Sequence, residues 1–306
     1  MCSAQRNTTP VINYRISVMS TKQLVINFHM TERCNYNCHY CYAKWEKPNE
    51  IHKQEGTVNQ LLTNLSNYFL NPNPVQSELG YDSVRLNFAG GEPLLLKNKF
   101  IDAIDCAISL GFDISIITNG HLLTESFIKE QAHRMSMIGI SYDSANQACQ
   151  QQIGRNTRSG SVITPRQLSN ISHLIRKHAP KTELKINTVV NQFNINEDLS
   201  SLISEVKPDK WKLLQVLGIY DEIPEISDSD FTNFVTRHQS LNSVMSIEDN
   251  ASMRGSYLMI DPSGCFFQNE NTHSGYLKSR SLLTTPVGIA LKESGFNPKK
   301  FSARYK

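Results

Sequence analysis

The run Leu24-Val25-Ile26-Asn27-Phe28-His29-Met30-Thr31-Glu32-Arg33-Cys34-Asn35-Tyr36-Asn37-Cys38-His39-Tyr40-Cys41-Tyr42 decides how the rest of the chain reads. Its first eight residues have the length and apolar content of a buried strand, with Asn27 and His29 sharing one face. Its second half carries Cys34, Cys38 and Cys41 in a C-x3-C-x2-C spacing. That spacing supplies three thiolates and no more. A [4Fe–4S] cluster has four irons, so three protein ligands leave one iron open to a small molecule. Structural zinc asks for four closed ligands. His39, directly after Cys38, is badly placed to be the fourth, and no second C-x2-C pair exists to complete a finger. A disulfide would leave one of the three cysteines over. The spacing therefore favours an open cluster, with zinc and a disulfide as the alternatives.

The bulk numbers set the frame. A chain of 306 residues can bury a substantial core. Its 31 basic and 28 acidic residues, net +3, argue against a surface that coats polyanions, so any anion site must be local. Seven cysteines, an odd count, fit a reducing compartment. Residues 1–21 are polar, without the apolar core of a signal peptide or a long amphipathic helix. No run approaches a membrane span. The expected location is cytoplasmic, with no membrane association and no direct nucleic-acid binding.

Working outward, six strand-like runs follow in order: 24–31, 83–90, 113–119, 137–143, 183–191 and 210–217. Helix-length segments separate them at 57–70, 94–110, 124–134, 165–178 and 196–206, with Thr124 suited to an N-cap and Pro165 to a first helical position. Strict alternation predicts a parallel sheet with right-handed crossovers, either open or a partial barrel, with active residues at the C-terminal strand ends. The cysteine run leaves the first strand at that end. After residue 217 the alternation is expected to stop. Residues 221–306 read as an extension over the core, with a helix at 230–240, a hairpin pairing 257–261 with 265–268 and a last helix at 287–294.

Two further signals carry chemistry. Gly90-Gly91-Glu92-Pro93 closes the second strand, where paired glycines let the backbone approach a ligand closely. Period-two counting then places Arg85, Asn87 and Ala89 on one strand face, Lys185 with Asn187, Lys210 with Lys212, and Ser141 with Asp143. Four cations on three strands, all facing an interior, would be costly unless a bound polyanion neutralises them. Lysine and arginine suit phosphate oxygens, and no Walker-type loop is present.

The cysteine motif followed by Gly-Gly-Glu-Pro on the next strand end resembles the radical S-adenosylmethionine (SAM) enzymes. Further blocks resemble the viperin family within them, most closely its prokaryotic members. These are Asn27–Thr31, Asn87–Pro93, Thr118–Gly120, Ile140–Ser144, Ile153–Arg155, Leu184–Asn191, Trp211-Lys212, Ser256–Leu258 and Gly295-Phe296. The resemblance covers about residues 24–305 and implies an α/β partial (βα)6 TIM-type barrel over 24–220, an N-terminal segment over 1–23 and a C-terminal extension over 221–306 that covers the nucleotide. It implies a [4Fe–4S] cluster on Cys34, Cys38 and Cys41. It also implies SAM bound through Gly90, Gly91, Glu92, Asn119, Ser141 and Arg155.

By the same resemblance the substrate is a ribonucleoside triphosphate (CTP, UTP or GTP). Arg85, Lys185, Lys210 and Lys212 match positions at the triphosphate, and Asn27 and Asn187 match positions near the nucleotide. Tyr257 matches a tyrosine beside the ribose, placed to handle the radical or a proton. The implied reaction abstracts the 4′ hydrogen with a 5′-deoxyadenosyl radical, expels the 3′ hydroxyl as water and yields a 3′-deoxy-3′,4′-didehydro nucleotide that stops viral RNA synthesis. A reductant protein such as flavodoxin or ferredoxin would supply electrons. Partner recognition through a tail beyond Tyr305, as in animal members, is not expected. Two rivals stand beside this reading. A radical SAM peptide- or cofactor-modifying enzyme would favour further cysteine clusters near the C-terminus, where only Cys265 lies. A zinc-stabilised nucleic-acid module would need a basic stripe with aromatics.

Overall fold

Ten strands form one sheet in the computed structural model, which describes residues 23–218, 225–269 and 276–304. They are β1 (Gln23–His29), β2 (Ser83–Ala89), β3 (Asp113–Thr118), β4 (Met137–Ser141), β5 (Glu183–Val190), β6 (Lys210–Gln215), β7 (Met245–Glu248), β8 (Leu258–Ile260), β9 (Cys265–Gln268) and β10 (Leu277–Ser281). The order across the sheet is β10-β9-β8-β1-β2-β3-β4-β5-β6-β7. Strands β1 to β7 pair in parallel with each successive neighbour, and β8 joins the free side of β1, also in parallel. Only β8-β9-β10 run antiparallel. The partial barrel expected from the alternation is present. The segment expected over 1–23, apart from Gln23, the start of the extension at 221–224, and the tail at Tyr305 lie outside the described residues.

The pattern of side chains explains the layering. Leu24, Ile26 and Phe28 of β1 and Leu86 and Phe88 of β2 have no exposed surface and pack into the main core. Leu61, Leu62, Leu65 and Phe69 of the helix Thr57–Phe69 belong to the same core. Each such side chain contributes roughly 1.5–3 kcal/mol of burial. Helix boundaries follow local chemistry: Thr124 caps Glu125–Gln131 by accepting from the Phe127 amide at 3.2 Å. Thr164 and Gln167 form a full capping box ahead of Pro165–His178.

Three expectations need correction. The segment 94–110 is a short 3-10 turn, Pro93–Leu96, and a helix, Asn98–Ser109, because Lys97 takes a left-handed φ of 50° and breaks the ladder. The segment 196–206 is helical only over Ser200–Val206. The alternation also does not stop after β6. The helix Asp228–Arg237 leads to β7, a seventh parallel strand on the β6 edge. Met245-Ser246-Ile247-Glu248 is short and half polar, because an edge strand needs no continuous apolar run.

Candidate active site

One face of the strands, joined by Met253 and Phe301 from two short helices of the extension, lines a cavity of about 290 Å³. Alternation alone decides which side chains face it: Val25, Asn27 and His29 from β1, Arg85, Asn87 and Ala89 from β2, Ser141 from β4, Lys185 and Asn187 from β5 and Lys212 from β6. The three cysteines line the same cavity and form no disulfide. They also line a second, more open recess on the outer side of their loop. The loop is thus a wall between two spaces.

The glycines of the Gly-Gly-Glu-Pro turn serve the wall. A Cβ on Gly91 would lie 2.2 Å from the Arg33 carbonyl oxygen, and one on Gly90 would lie 2.6 Å from that of Thr31. The amide of Gly91 donates to Thr31 O at 2.6 Å and that of Glu92 to Arg33 O at 2.8 Å. The close approach expected for a ligand is therefore made first to the entrance of the cysteine loop. Gly154, in a left-handed conformation (φ 79°), closes on the far side, where a Cβ would meet Asn37 O at 2.2 Å.

Glu92, unlike Gly90 and Gly91 of the same turn, does not line the cavity. It is fully buried and accepts from the Asn119 amide and Thr118 Oγ1, both at 2.8 Å, and from the Leu94 amide at 3.2 Å. Burial pushes its carboxyl up to about 7 against these three donors. Its work is to aim Asn119, whose Nδ2 reaches Asn35 Oδ1 at 2.7 Å and Cys34 Sγ at 3.7 Å.

Arg155 sits behind the cysteines. Its Nε donates to Asp143 Oδ2 at 2.6 Å, Nη1 donates to Ser141 O at 3.1 Å, and Tyr40 closes the group through its hydroxyl. Asp143 has no exposed surface, and Arg155 keeps its charge against burial because this carboxylate faces it. Burial pushes the Cys34 thiol up to about 11 and the Cys38 thiol up to about 12. Such thiols become thiolates when a metal supplies the charge. Among the described residues no three His, Cys, Asp or Glu side chains converge on a point that a single metal ion could occupy. Three cysteine donors on one loop supply three corners of a cubane and one ligand too few for structural zinc.

At the other end of the cavity lies a group of which the sequence reading named Lys212 and Tyr257 and missed Glu248 and Arg304. Lys212 Nζ is 2.6 Å from Glu248 Oε1 and donates to the Tyr257 hydroxyl at 2.9 Å. The Tyr257 hydroxyl donates to Glu248, and Arg304 Nε bonds the same carboxylate at 3.2 Å. The Arg304 guanidinium also lies 3.6 Å over the Tyr257 ring. Burial pulls the Lys212 amine down to about 8 despite the attraction of Glu248. Burial would raise Glu248, but Lys212 and Arg304 overcome it and hold the carboxyl at about 2. Both are charged at neutral pH, and the Tyr257 phenol, driven well up by burial, stays protonated.

Lys185 lines the cavity and makes no hydrogen bond or ion pair with a described residue. Burial first, then Lys212 and Arg85, draws its amine well below the usual lysine value. Asn187 Oδ1 is buried without a partner among the described residues, as are both ring nitrogens of His29. Burial pulls His29 down to about 3, so its imidazole is neutral.

Lys210 is the exception among the expected cations. It opens β6 at the strand's N-terminal end, is half exposed and pairs with Glu183 at 2.8 Å. It does not line the cavity. Parity assigned its face correctly but is blind to depth along the strand. Glu248 was missed because β7 was missed. Arg304 had no motif to mark it.

Comparison with known proteins matches this geometry. The description of the radical SAM superfamily matches residues 28–189. An S-adenosylmethionine-dependent nucleotide dehydratase of Pseudoalteromonas ulvae is 44% identical over 95% of both chains. One from Psychrobacter lutiphocae is 38% identical over 94% of this chain and 96% of its own. The dehydratase RSAD2 of Oncorhynchus mykiss is 30% identical, covering 97% and 83%. The solved structure of native anSMEcpe with bound AdoMet superposes with a TM-score of 0.64 at 16% identity over 92% of this chain and 84% of that one, a likeness of fold. The cofactors are a [4Fe–4S] cluster and SAM. The residues around the cysteine loop fit both, and the chain belongs to the radical SAM superfamily and, within it, to the viperin-like S-adenosylmethionine-dependent nucleotide dehydratases.

Proposed function

We propose that this enzyme removes water from a ribonucleoside triphosphate, giving the 3′-deoxy-3′,4′-didehydro analogue, and that the product serves defence against phage. The observation that carries the reading is the set of cations on separate elements, Arg85, Lys185, Lys212 and Arg304, lining the cavity that also holds the three cysteines. Lys185 in particular lines the cavity half-buried, with no hydrogen bond or ion pair to a described residue. Phosphate oxygens would neutralise it, which a peptide or a neutral cofactor precursor would not.

The roles follow from position. Cys34, Cys38 and Cys41 would hold the cluster, and Gly90, Gly91, Asn119, Ser141 and Arg155 would surround SAM, with Glu92 aiming Asn119 from behind. When bound, the two cofactors supply the 5′-deoxyadenosyl radical that takes the 4′ hydrogen. Arg85, Lys185, Lys212 and Arg304 would hold the triphosphate. Asn27 and Asn187 face the middle of the cavity, where the ribose would lie between phosphates and radical source. Departure of the 3′ hydroxyl as water needs a proton, and collapse to the closed-shell alkene needs one electron. Lys212 and Tyr257, hydrogen-bonded to each other, are the proton-bearing groups at that end. Residues 221–306 would act as the cover of this site, through β7, Tyr257 and Arg304.

An electron-donor protein such as flavodoxin or ferredoxin would meet the outer recess. Its floor includes all three cysteines, and its lining carries Arg33, Lys44, Lys47, Lys53 and Arg158. The acids there are turned inward: Glu50 bonds Thr31, the Glu32 amide and His52, and Glu32 bonds the Trp45 and Lys47 amides. The direct test of the function is anaerobic reconstitution with SAM, dithionite and each of CTP, UTP and GTP, followed by mass analysis. One triphosphate should lose 18 mass units (one water) in step with 5′-deoxyadenosine formation. Deoxyadenosine release without any dehydrated nucleotide would refute the reading.

A further inference from the structure

Glu248 is the least expected charge beside a cavity built for a polyanion: it does not line the cavity but stands behind three residues that do, Lys212, Tyr257 and Arg304. It stands at the end of β7, which lies beside β6 with Leu214 opposite Glu248 in the register. The side chain is about 10% exposed. The groups facing it are Lys212 from β6, Tyr257 from the segment before β8 and Arg304 after the helix Pro298–Ala303, with Lys185 and Arg85 farther along the cavity. A carboxylate here repels an arriving triphosphate and competes with it for two of its cations. Burial of such a charge persists only where its partners repay it. These partners do more than neutralise it: Glu248 is the acceptor for the Tyr257 hydroxyl, while Lys212 donates to the same phenolic oxygen. The phenol is therefore held with its proton toward Glu248 and a lone pair toward Lys212.

We propose that Glu248 is a positioning residue for the dehydration, an internal counter-charge that trades nucleotide affinity for a fixed Lys212–Tyr257 pair beside the ribose. It touches neither cofactor nor, in this assignment, the reacting atoms. It acts through the two groups that would protonate the leaving hydroxyl and serve the radical intermediate. This inference rests on the proposed triphosphate reading and adds a residue to it. Its signature is a split between binding and chemistry: removing the carboxylate's charge frees Lys212 and Arg304 for phosphate but releases the phenol.

The test uses Glu248→Gln, which keeps the shape and an acceptor oxygen, and Glu248→Asp, which keeps the charge. Binding of the triphosphate that the wild type dehydrates is measured calorimetrically on the full chain without cluster, so that this readout does not depend on radical chemistry. Turnover is measured after reconstitution. The expected result is that Glu248→Gln binds on the order of tenfold tighter, equivalent to about 1.4 kcal/mol, yet forms product at least tenfold more slowly. Glu248→Asp should restore part of the rate. In a double-mutant cycle, Glu248→Gln should cost little more once Tyr257→Phe is present, because both act on one hydrogen-bonded unit. Weaker binding in Glu248→Gln with turnover unchanged would overturn the inference. So would equal losses in both variants, which would mark a merely structural carboxylate. If Tyr257→Phe leaves the yield untouched while Glu248→Gln still binds tighter, the tyrosine's assigned role falls and the counter-charge stands.

Discussion

Replacing Lys185 by methionine should make the protein more stable and its substrate harder to hold. In the fold the side chain is half-buried beside Lys212 and Arg85, with no hydrogen bond or ion pair to a described residue, and its pKa is drawn well down. Unfolded, it returns to the ordinary value of about 10.4. The folded state therefore binds fewer protons than the unfolded state. The penalty is complete below the depressed folded pKa, shrinks as pH rises through the window up to about 10.4, and vanishes above it. Each unit of depression is worth about 1.4 kcal/mol. With relaxation and water entry taken into account, the gain for Lys185→Met at pH 7 should be on the order of 1–3 kcal/mol, or roughly 2–5 °C in Tm. The loss of a charge-assisted phosphate contact costs about 1.5–3 kcal/mol, roughly a ten- to hundredfold weaker Kd. Scanning calorimetry of the empty protein at pH 7 and pH 10 reads the first effect, and titration with the accepted triphosphate reads the second. The Tm advantage should narrow at pH 10. A less stable variant with unchanged affinity would refute the reasoning, because Lys185 would then be an ordinary structural lysine.

Other perturbations probe the remaining parts. Gly91→Ala should force the turn away from the Arg33 carbonyl, which a Cβ would approach to 2.2 Å; iron and sulfide content after reconstitution should fall severalfold, and full cluster loading would contradict the bracing role. Lys210→Ala should change triphosphate affinity by less than about 0.5 kcal/mol, as for an exposed ion pair, and a tenfold loss would return Lys210 to the site. Charge reversal at Lys47 and Arg158 should cut the rate of cluster reduction by an acidic flavodoxin several-fold at low salt, while dithionite-driven turnover stays at the wild-type level. Equal loss with both reductants would place the damage at the cluster itself.

Much of this was legible because strands and motifs are short-range signals. Cys34, Cys38 and Cys41 lie within one loop, and the period of two fixed the inward face of β1, β2, β5 and β6 without any tertiary information. Depth along a strand is a different quantity. Lys210 and Lys212 share a face, yet two residues separate a surface ion pair from the cavity floor. The glycines of the Gly-Gly-Glu-Pro turn looked like a ligand cradle because sequence shows only that backbone must approach something. That the partner was the backbone at Thr31 and Arg33 depended on how two strand ends meet. Glu248 and Arg304 were illegible for a further reason. An edge strand of four residues has no periodicity to speak of, and a lone arginine near a helix end resembles any surface arginine.

The pairing of β8 with β1 has a consequence for how the enzyme is made. Asn27 Nδ2 bonds Leu258 O across 231 residues of sequence. The strand that carries the cysteine loop thus leaves the ribosome well before its second neighbour, 231 residues later in the sequence. Contacts of such separation form late, because loop closure must be completed before they can contribute. The cysteine loop, braced by β2 and the turn at Gly154, can assume its shape with about half the chain made. Tyr257 and Arg304 cannot reach the cavity until β8 has docked. Maturation therefore has an order built into it: the cluster's seat is ready early, and the nucleotide's seat is finished last. Until β8 has docked, the chain has no completed place in which a radical could meet a nucleotide.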